Sequence, residues 1–171
     1  MSFKVGDKVV YPNHGVGVIE EVARRAIGDL ESSFYCLRIL STDSTVMVPV
    51  DNTQAVGLRK VLTRREITRV IKALKDGEVT TYDDCKGRFQ ANSEKMRTGD
   101  IRAVAEVLKS LTMLNEIKPL SYRERKMLDR ARFLLVSELT EASGKKTDAV
   151  ETQIDAALSD SLKGMKSKIE H

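Results

Sequence analysis

The chain has 171 residues, 41% of them hydrophobic, and a formal net charge of +4. No apolar run approaches the roughly 20 residues that a bilayer-spanning helix needs. The opening Met-Ser-Phe-Lys-Val-Gly lacks the apolar stretch of a secretory signal, so a cytoplasmic protein with no membrane partner is expected. Cys36 and Cys85 fall in different predicted domains, so two reduced thiols and no disulfide framework are expected.

In chain order, Gly6-Asp7 is a turn pair. Lys8–Tyr11 is a β-branched run with an aromatic end, which reads as a strand. Pro12, Asn13 and Gly15 break it. From Gly15 a second strand alternates, with Val16, Val18, Glu20 and Val22 on one side and Gly17, Ile19 and Glu21 on the other. Gly28-Asp29 turns the chain into residues 34–40, where Tyr35, Leu37 and Ile39 oppose Cys36 and Arg38. After Thr42-Asp43-Ser44, residues 45–50 set Val46, Val48 and Val50 against Thr45 and Met47, and Pro49 caps this strand or lies at an edge. So many short strands in under 60 residues bury little area, and a strongly bent antiparallel sheet of Tudor/SH3-like type is the economical solution.

From Thr63 the period becomes helical. Thr63-Arg64-Arg65-Glu66 is a capping box leading into Ile67, Val70, Ile71 and Leu74, and Asp76-Gly77 ends the segment. Thr81-Tyr82-Asp83-Asp84 starts a less regular helix expected to turn Cys85, Phe89 and Met96 inward. Beyond Thr98-Gly99-Asp100, the cleanest stripe in the sequence runs through Ile101, Val104, Ala105, Leu108 and Leu111, until Pro119 stops it. Ser121 to Glu124 is a second capping box, with Leu120 as staple and Leu128, Ala131, Leu135 and Leu139 inward. Ser143-Gly144-Lys145-Lys146 links to a last helix on Val150, Ile154, Ala157 and Leu158, followed by a Lys-rich tail from Lys163 expected to fray. The expected fold class is therefore two-domain α+β: a β domain at 1–57, a joint at 58–62, and an all-α five-helix domain completing 58–171.

Charge separates the halves. Residues 1–60 carry 7 Lys/Arg against 7 Asp/Glu, residues 61–140 carry 17 against 12, and the remainder carries 5 against 6. A neutral first domain and a basic second one suggest two different partners, with a polyanion for the second; a solvated helical surface accounts for the modest excess nearly as well.

Catalysis finds no support. His14 sits in a Pro-Asn-His-Gly turn, neither cysteine has a CxxC partner, and Gly15-Val16-Gly17 lies in a hairpin instead of between a strand and a helix. The Asp83-Asp84 pair reads as a helix N-terminus. No enzyme, cofactor or metal is expected. Arg25, at the end of its strand, and the outward Met47 suggest a protein-binding edge, since both residue types are enriched at interfaces. On sequence alone, Met47 filling the small core stands equally well.

The run of residues 3–17, FKVGDKVVYPNHGVG, with TVMVP at Thr45–Pro49 and the helical runs RFQANSEKMRTGDIRAVAEVLKSL and ERKMLDRARFLLVSEL, resembles the CarD/CdnL family of bacterial transcription regulators. Its first domain is shared with the polymerase-interacting module of transcription-repair coupling factors. The resemblance extends to about Leu139. It implies a monomer whose first domain docks on the β subunit of RNA polymerase through Arg25, Thr45, Val46, Met47 and Pro49. It further implies a helical domain lying on promoter DNA just upstream of the transcription bubble, touching it without sequence preference and modulating open-complex stability.

For DNA, the candidate contacts are Cys85, Lys86, Arg88, Gln90, Arg125, Lys126 and Arg130, with Lys86 and Arg130 read from their outward basic positions. Arg88, Arg125 and Lys126 match basic family positions, whereas Gln90 stands where relatives can carry a phosphate contact. Cys85 stands where the family carries a wedging tryptophan, and this chain has no Trp. A cysteine is too small to prop open a base step; the wedge is then absent, or Tyr82 supplies it. A protein-only adaptor of polymerase, with its charge used for solvation, is the alternative. An RNA-binding Tudor/SH3-like module is a more distant one.

Overall fold

A computed structural model describes residues 2–12, 14–76 and 85–169, the side chains of Ile27, Cys85 and residues 165–169 excepted. The chain divides into two compact units, Met1–Val61 and Leu62–His171.

The first unit is one antiparallel five-stranded sheet of β1 (Lys8–Tyr11), β2 (Gly15–Ile27), β3 (Leu30–Ile39), β4 (Thr45–Pro49) and β5 (Arg59–Lys60), in the order β4-β3-β2-β1-β5. This is the small Tudor/SH3-like β domain that the alternating pattern predicts. Its core gathers Phe3, Val9, Ile19, Tyr35, Leu37, Val48 and Leu58, with Tyr11, Val46, Val50 and Val56 packed against it. Phe3 is pinned twice: its N–H donates to the Tyr35 hydroxyl (3.1 Å) and its ring meets Tyr35 edge-on.

Two features depart from the sequence reading. The β2–β3 register shifts between Ile19 and Glu21, so a bulge inverts the alternation. Ile19 pairs with Leu37 and Val22 with Tyr35, and Val22 therefore shares the core-side phase instead of opposing Ile19. The expected joint at 58–62 is also shorter. Leu58 belongs to the core, and Arg59 and Lys60 pair with Val10 and Val9, because β1 has a second edge to satisfy. Before β5, α1 (Thr53–Val56) ends at Gly57 in the left-handed region (φ 77°), where a Cβ would lie 3.1 Å from the Pro12 ring.

Five helices form the described part of the second unit: α2 (Arg64–Asp76), α3 (Cys85–Arg97), α4 (Ile101–Ile117), α5 (Tyr122–Ser143) and α6 (Thr147–Ile169). The two anticipated capping boxes are present, and Asp100 adds a third cap. Thr63 N–H donates to Glu66 (2.7 Å) while the Thr63 hydroxyl accepts from Glu66 N–H (3.3 Å), Asp100 accepts from Arg102 N–H, and Ser121 accepts from Glu124 N–H. Apolar faces of α2, α4, α5 and α6 enclose one core around Leu74, Leu108, Leu111, Leu135, Leu139 and Ile154. Polar ties close it at the C-terminus of α2, where Lys109 Nζ donates to the Ala73 carbonyl (3.0 Å) and the Ser161 hydroxyl to the Leu74 and Lys75 carbonyls.

Helix α6 continues through Ile169, so the residues after Lys163 are helical where fraying was expected. The proposed helix start at residues 81–84, with Tyr82 and the Asp83-Asp84 pair, lies outside the described residues. Among the described residues no helix is long and apolar enough to cross a membrane.

Candidate functional surfaces

In the β unit, pairing decides which side chains share a face. Arg25 lies opposite Ser32, Cys36 opposite Met47, Phe34 opposite Pro49 and Arg38 opposite Thr45. Directly paired residues point the same way, so Arg25, Thr45, Met47 and Pro49 stand on the face away from the core, with Ala23, Phe34 and Cys36 between them. Met47 is 37% exposed, which removes it from the core. Val46 is on the other face, half-buried against the core cluster, and meets the edge chiefly through its backbone. Strand β4 is that edge, hydrogen-bonded to β3 on one side. The two arginines of this face differ. Arg38 donates to Glu20 (2.6 Å) and Asp43 (3.3 Å), bonds that raise its pKa and spend its charge locally, while Arg25 is exposed and projects from the long β2–β3 hairpin.

In the helical unit, the predicted cations separate into two groups. Arg88 is no surface contact. It is 5% exposed and forked onto Glu124, with Nε to Oε2 at 2.7 Å and Nη2 to Oε1 at 2.9 Å. A buried arginine held by a bidentate carboxylate cannot also neutralise a phosphate, because leaving Glu124 uncompensated costs several kcal/mol. The inward face of α3 carries Arg88 and Asn92 beside the expected Met96. Phe89, also expected inward, is half-buried, with the Arg123 guanidinium 3.9 Å above its ring. Cys85 opens α3, its side chain outside the described atoms, and Lys86 and Gln90 are exposed on the same helix.

The outward face of α5 is strongly basic. Arg123, Arg125, Lys126 and Arg130 are exposed, with Asp129 as the acid among them. Arg132, by contrast, is held by Asp155 at 2.8 Å, a hydrogen bond that raises its pKa. Lys95 is similarly held by Glu106 and Arg97 by Glu94. Two exposed aromatics, Tyr122 (65%) and Phe133 (38%), interleave with the cations: Lys126 lies 4.8 Å from the Tyr122 ring and Arg130 5.4 Å from that of Phe133. The sequence reading missed both. Their signal is the spacing Tyr122, Lys126, Arg130, Phe133, which is one stripe of a 3.6-residue helix opposite the leucines. Among the described residues no group of three or more His, Cys, Asp or Glu could hold a metal ion.

Residues 69–155 match the family model described as CarD, C-terminal domain, and residues 3–62 the one described as CarD-like/TRCF RID domain. YdeB of Bacillus subtilis (strain 168), described as a candidate transcription factor, is 32% identical over 142 residues, covering 83% of this chain and 93% of that protein. The solution structure of the 72-residue N-terminal domain of Myxococcus xanthus CarD is 34% identical, over 34% of this chain and 79% of that one, with a TM-score of 0.31.

Proposed function

The chain belongs to the CarD family of transcription factors, and on that footing we propose that it tethers to the β subunit of RNA polymerase through its β unit and to promoter DNA through α5. The observation that carries the first half is the shared outward face of Arg25, Thr45, Met47 and Pro49 beside an open strand edge. An edge strand can accept a partner strand by backbone pairing, while an exposed Arg and Met supply the side-chain contacts that interfaces favour. For the second half, Arg125, Lys126 and Arg130 line the exposed side of one rigid helix, a layout suited to backbone phosphates and indifferent to base sequence. Lys86 and Gln90 extend this surface onto α3.

Tethering raises local concentration, so each DNA contact can be weak and still count. Regulation then follows from differential affinity: a factor that holds the open complex more tightly than the closed one shifts the equilibrium, and equal affinity shifts nothing. The setting is the bacterial cytoplasm, and the protein acts without a catalytic step of its own.

Capture of the isolated polymerase β subunit by wild type and by Arg25→Glu tests the first contact. Undiminished capture by the variant would refute it. Titrating duplex DNA across an ionic-strength series tests the second, with a steep loss of affinity expected. A protein-only adaptor draws support from the exposed Tyr122 and Phe133, which also suit a protein partner; it predicts negligible DNA affinity at every salt concentration.

A further inference from the structure

Between α3 and the first turn of α5 runs an open groove of about 590 Å³, within the size range of small-ligand sites. Its lining includes the Phe89 ring, with the Arg123 guanidinium carbon over it at 3.9 Å from the ring centre. The groove therefore presents a flat cation on which a heteroaromatic ring can lie. Beside it, Gln90 offers an amide that can donate and accept, and the exposed Lys86 adds positive charge to the lining. The lining hydroxyls are committed as donors: Ser93 to the Phe89 carbonyl (2.8 Å) and Ser121 to Glu124 (3.2 Å). Glu94, the acid of the lining, is bound to Arg97, which offsets its charge. Stacking plane, adaptable amide and cation are together the chemistry of a nucleotide, and an open groove lets a chain enter and leave where an enclosed cavity would not.

We infer that this groove receives one unpaired nucleotide of a DNA strand, its base on the Arg123 guanidinium, its edge toward Gln90 and its phosphate toward Lys86. The inference rests on the DNA-binding reading above and adds to it a preference for unpaired over paired DNA. A wedge forces a base step apart. A groove of this kind holds a base already unpaired, and so favours melted DNA without a large apolar side chain on α3.

Fluorescence anisotropy of the full chain tests this at one low salt concentration, with a fully paired oligonucleotide and the same oligonucleotide carrying a central mismatched bubble. Wild type is expected to bind the bubble about tenfold more tightly, the scale of one base stacked on a planar side chain. Arg123→Lys keeps the charge and loses the plane, so it should abolish the preference while leaving duplex affinity within about twofold. Gln90→Ala should weaken bubble binding more than duplex binding. Equal wild-type affinities, or an undiminished preference in Arg123→Lys, would overturn the groove and leave duplex binding standing. No binding to either DNA at that low salt would overturn both.

Discussion

Replacing Arg88 by methionine separates a structural role from a DNA-binding one. The change removes the guanidinium that holds Glu124, itself 2% exposed, and leaves a carboxylate in a nearly dry site at the cap of α5. Breaking a buried pair by removing one partner costs about 3–5 kcal/mol. For a unit of this size that corresponds to a fall of about 10–20 °C in the unfolding midpoint of the helical half. Thermal or urea unfolding followed by circular dichroism in the helical region reads it. The double variant Arg88→Met with Glu124→Leu should recover most of the loss, because an apolar pair of similar volume can substitute for a buried ion pair. DNA affinity of the folded Arg88→Met protein should keep the wild-type salt slope. A variant of unchanged stability whose salt slope falls by about one phosphate contact would show that Arg88 touches DNA, and the reasoning would fail.

Other outcomes follow from the same geometry. Replacing Arg125 and Lys126 together by alanine should lower the slope of log affinity against log salt by about 1.8, with little change in stability; an unchanged slope would remove both from the DNA surface. Ser121→Ala should cost about 1 kcal/mol through loss of the α5 cap, and an unfolding midpoint equal to wild type would contradict that assignment. Burial lowers the pKa of Lys109 below its usual 10.5, so the folded state binds fewer protons there than the unfolded one. Helical-unit stability should accordingly gain from this group as pH rises through the alkaline range toward 10.5, and Lys109→Met should flatten the gain; matching pH profiles in the two proteins would refute it. Cys85→Trp, which returns a large apolar side chain to the start of α3, should lengthen open-complex lifetime, and no change would rule out a wedge at that position.

Most of the architecture was legible because local signals agree with the fold. The turn at Gly28-Asp29, the two capping boxes and the leucine-rich stripes each fix an element without reference to its neighbours. What the sequence hid depends on distant residues. The bulge between Ile19 and Glu21 leaves no compositional mark, so simple alternation puts Val22 on the wrong face. Arg59 and Lys60 become a strand only because β1 offers them an edge.

The same holds for function. Arg88 looks like one basic residue among many until Glu124, 36 positions later, closes on it. Arg25 on β2 and Thr45, Met47 and Pro49 on β4 share a face only through the register of β3 between them; the sequence alone paired Arg25 with Met47, and the resemblance added the rest. The Phe89–Arg123 stack joins two helices and is invisible to any periodicity, whereas Tyr122 and Phe133 could have been found from helical spacing alone.

The central claim, two surfaces acting together on one promoter complex, is tested most directly by the lifetime of open complexes formed by purified bacterial RNA polymerase and challenged with competitor. Wild-type protein should change that lifetime, while Arg25→Glu alone and the Arg125→Glu, Lys126→Glu pair should each abolish the change. A wild-type effect that survives either set of substitutions would contradict the account.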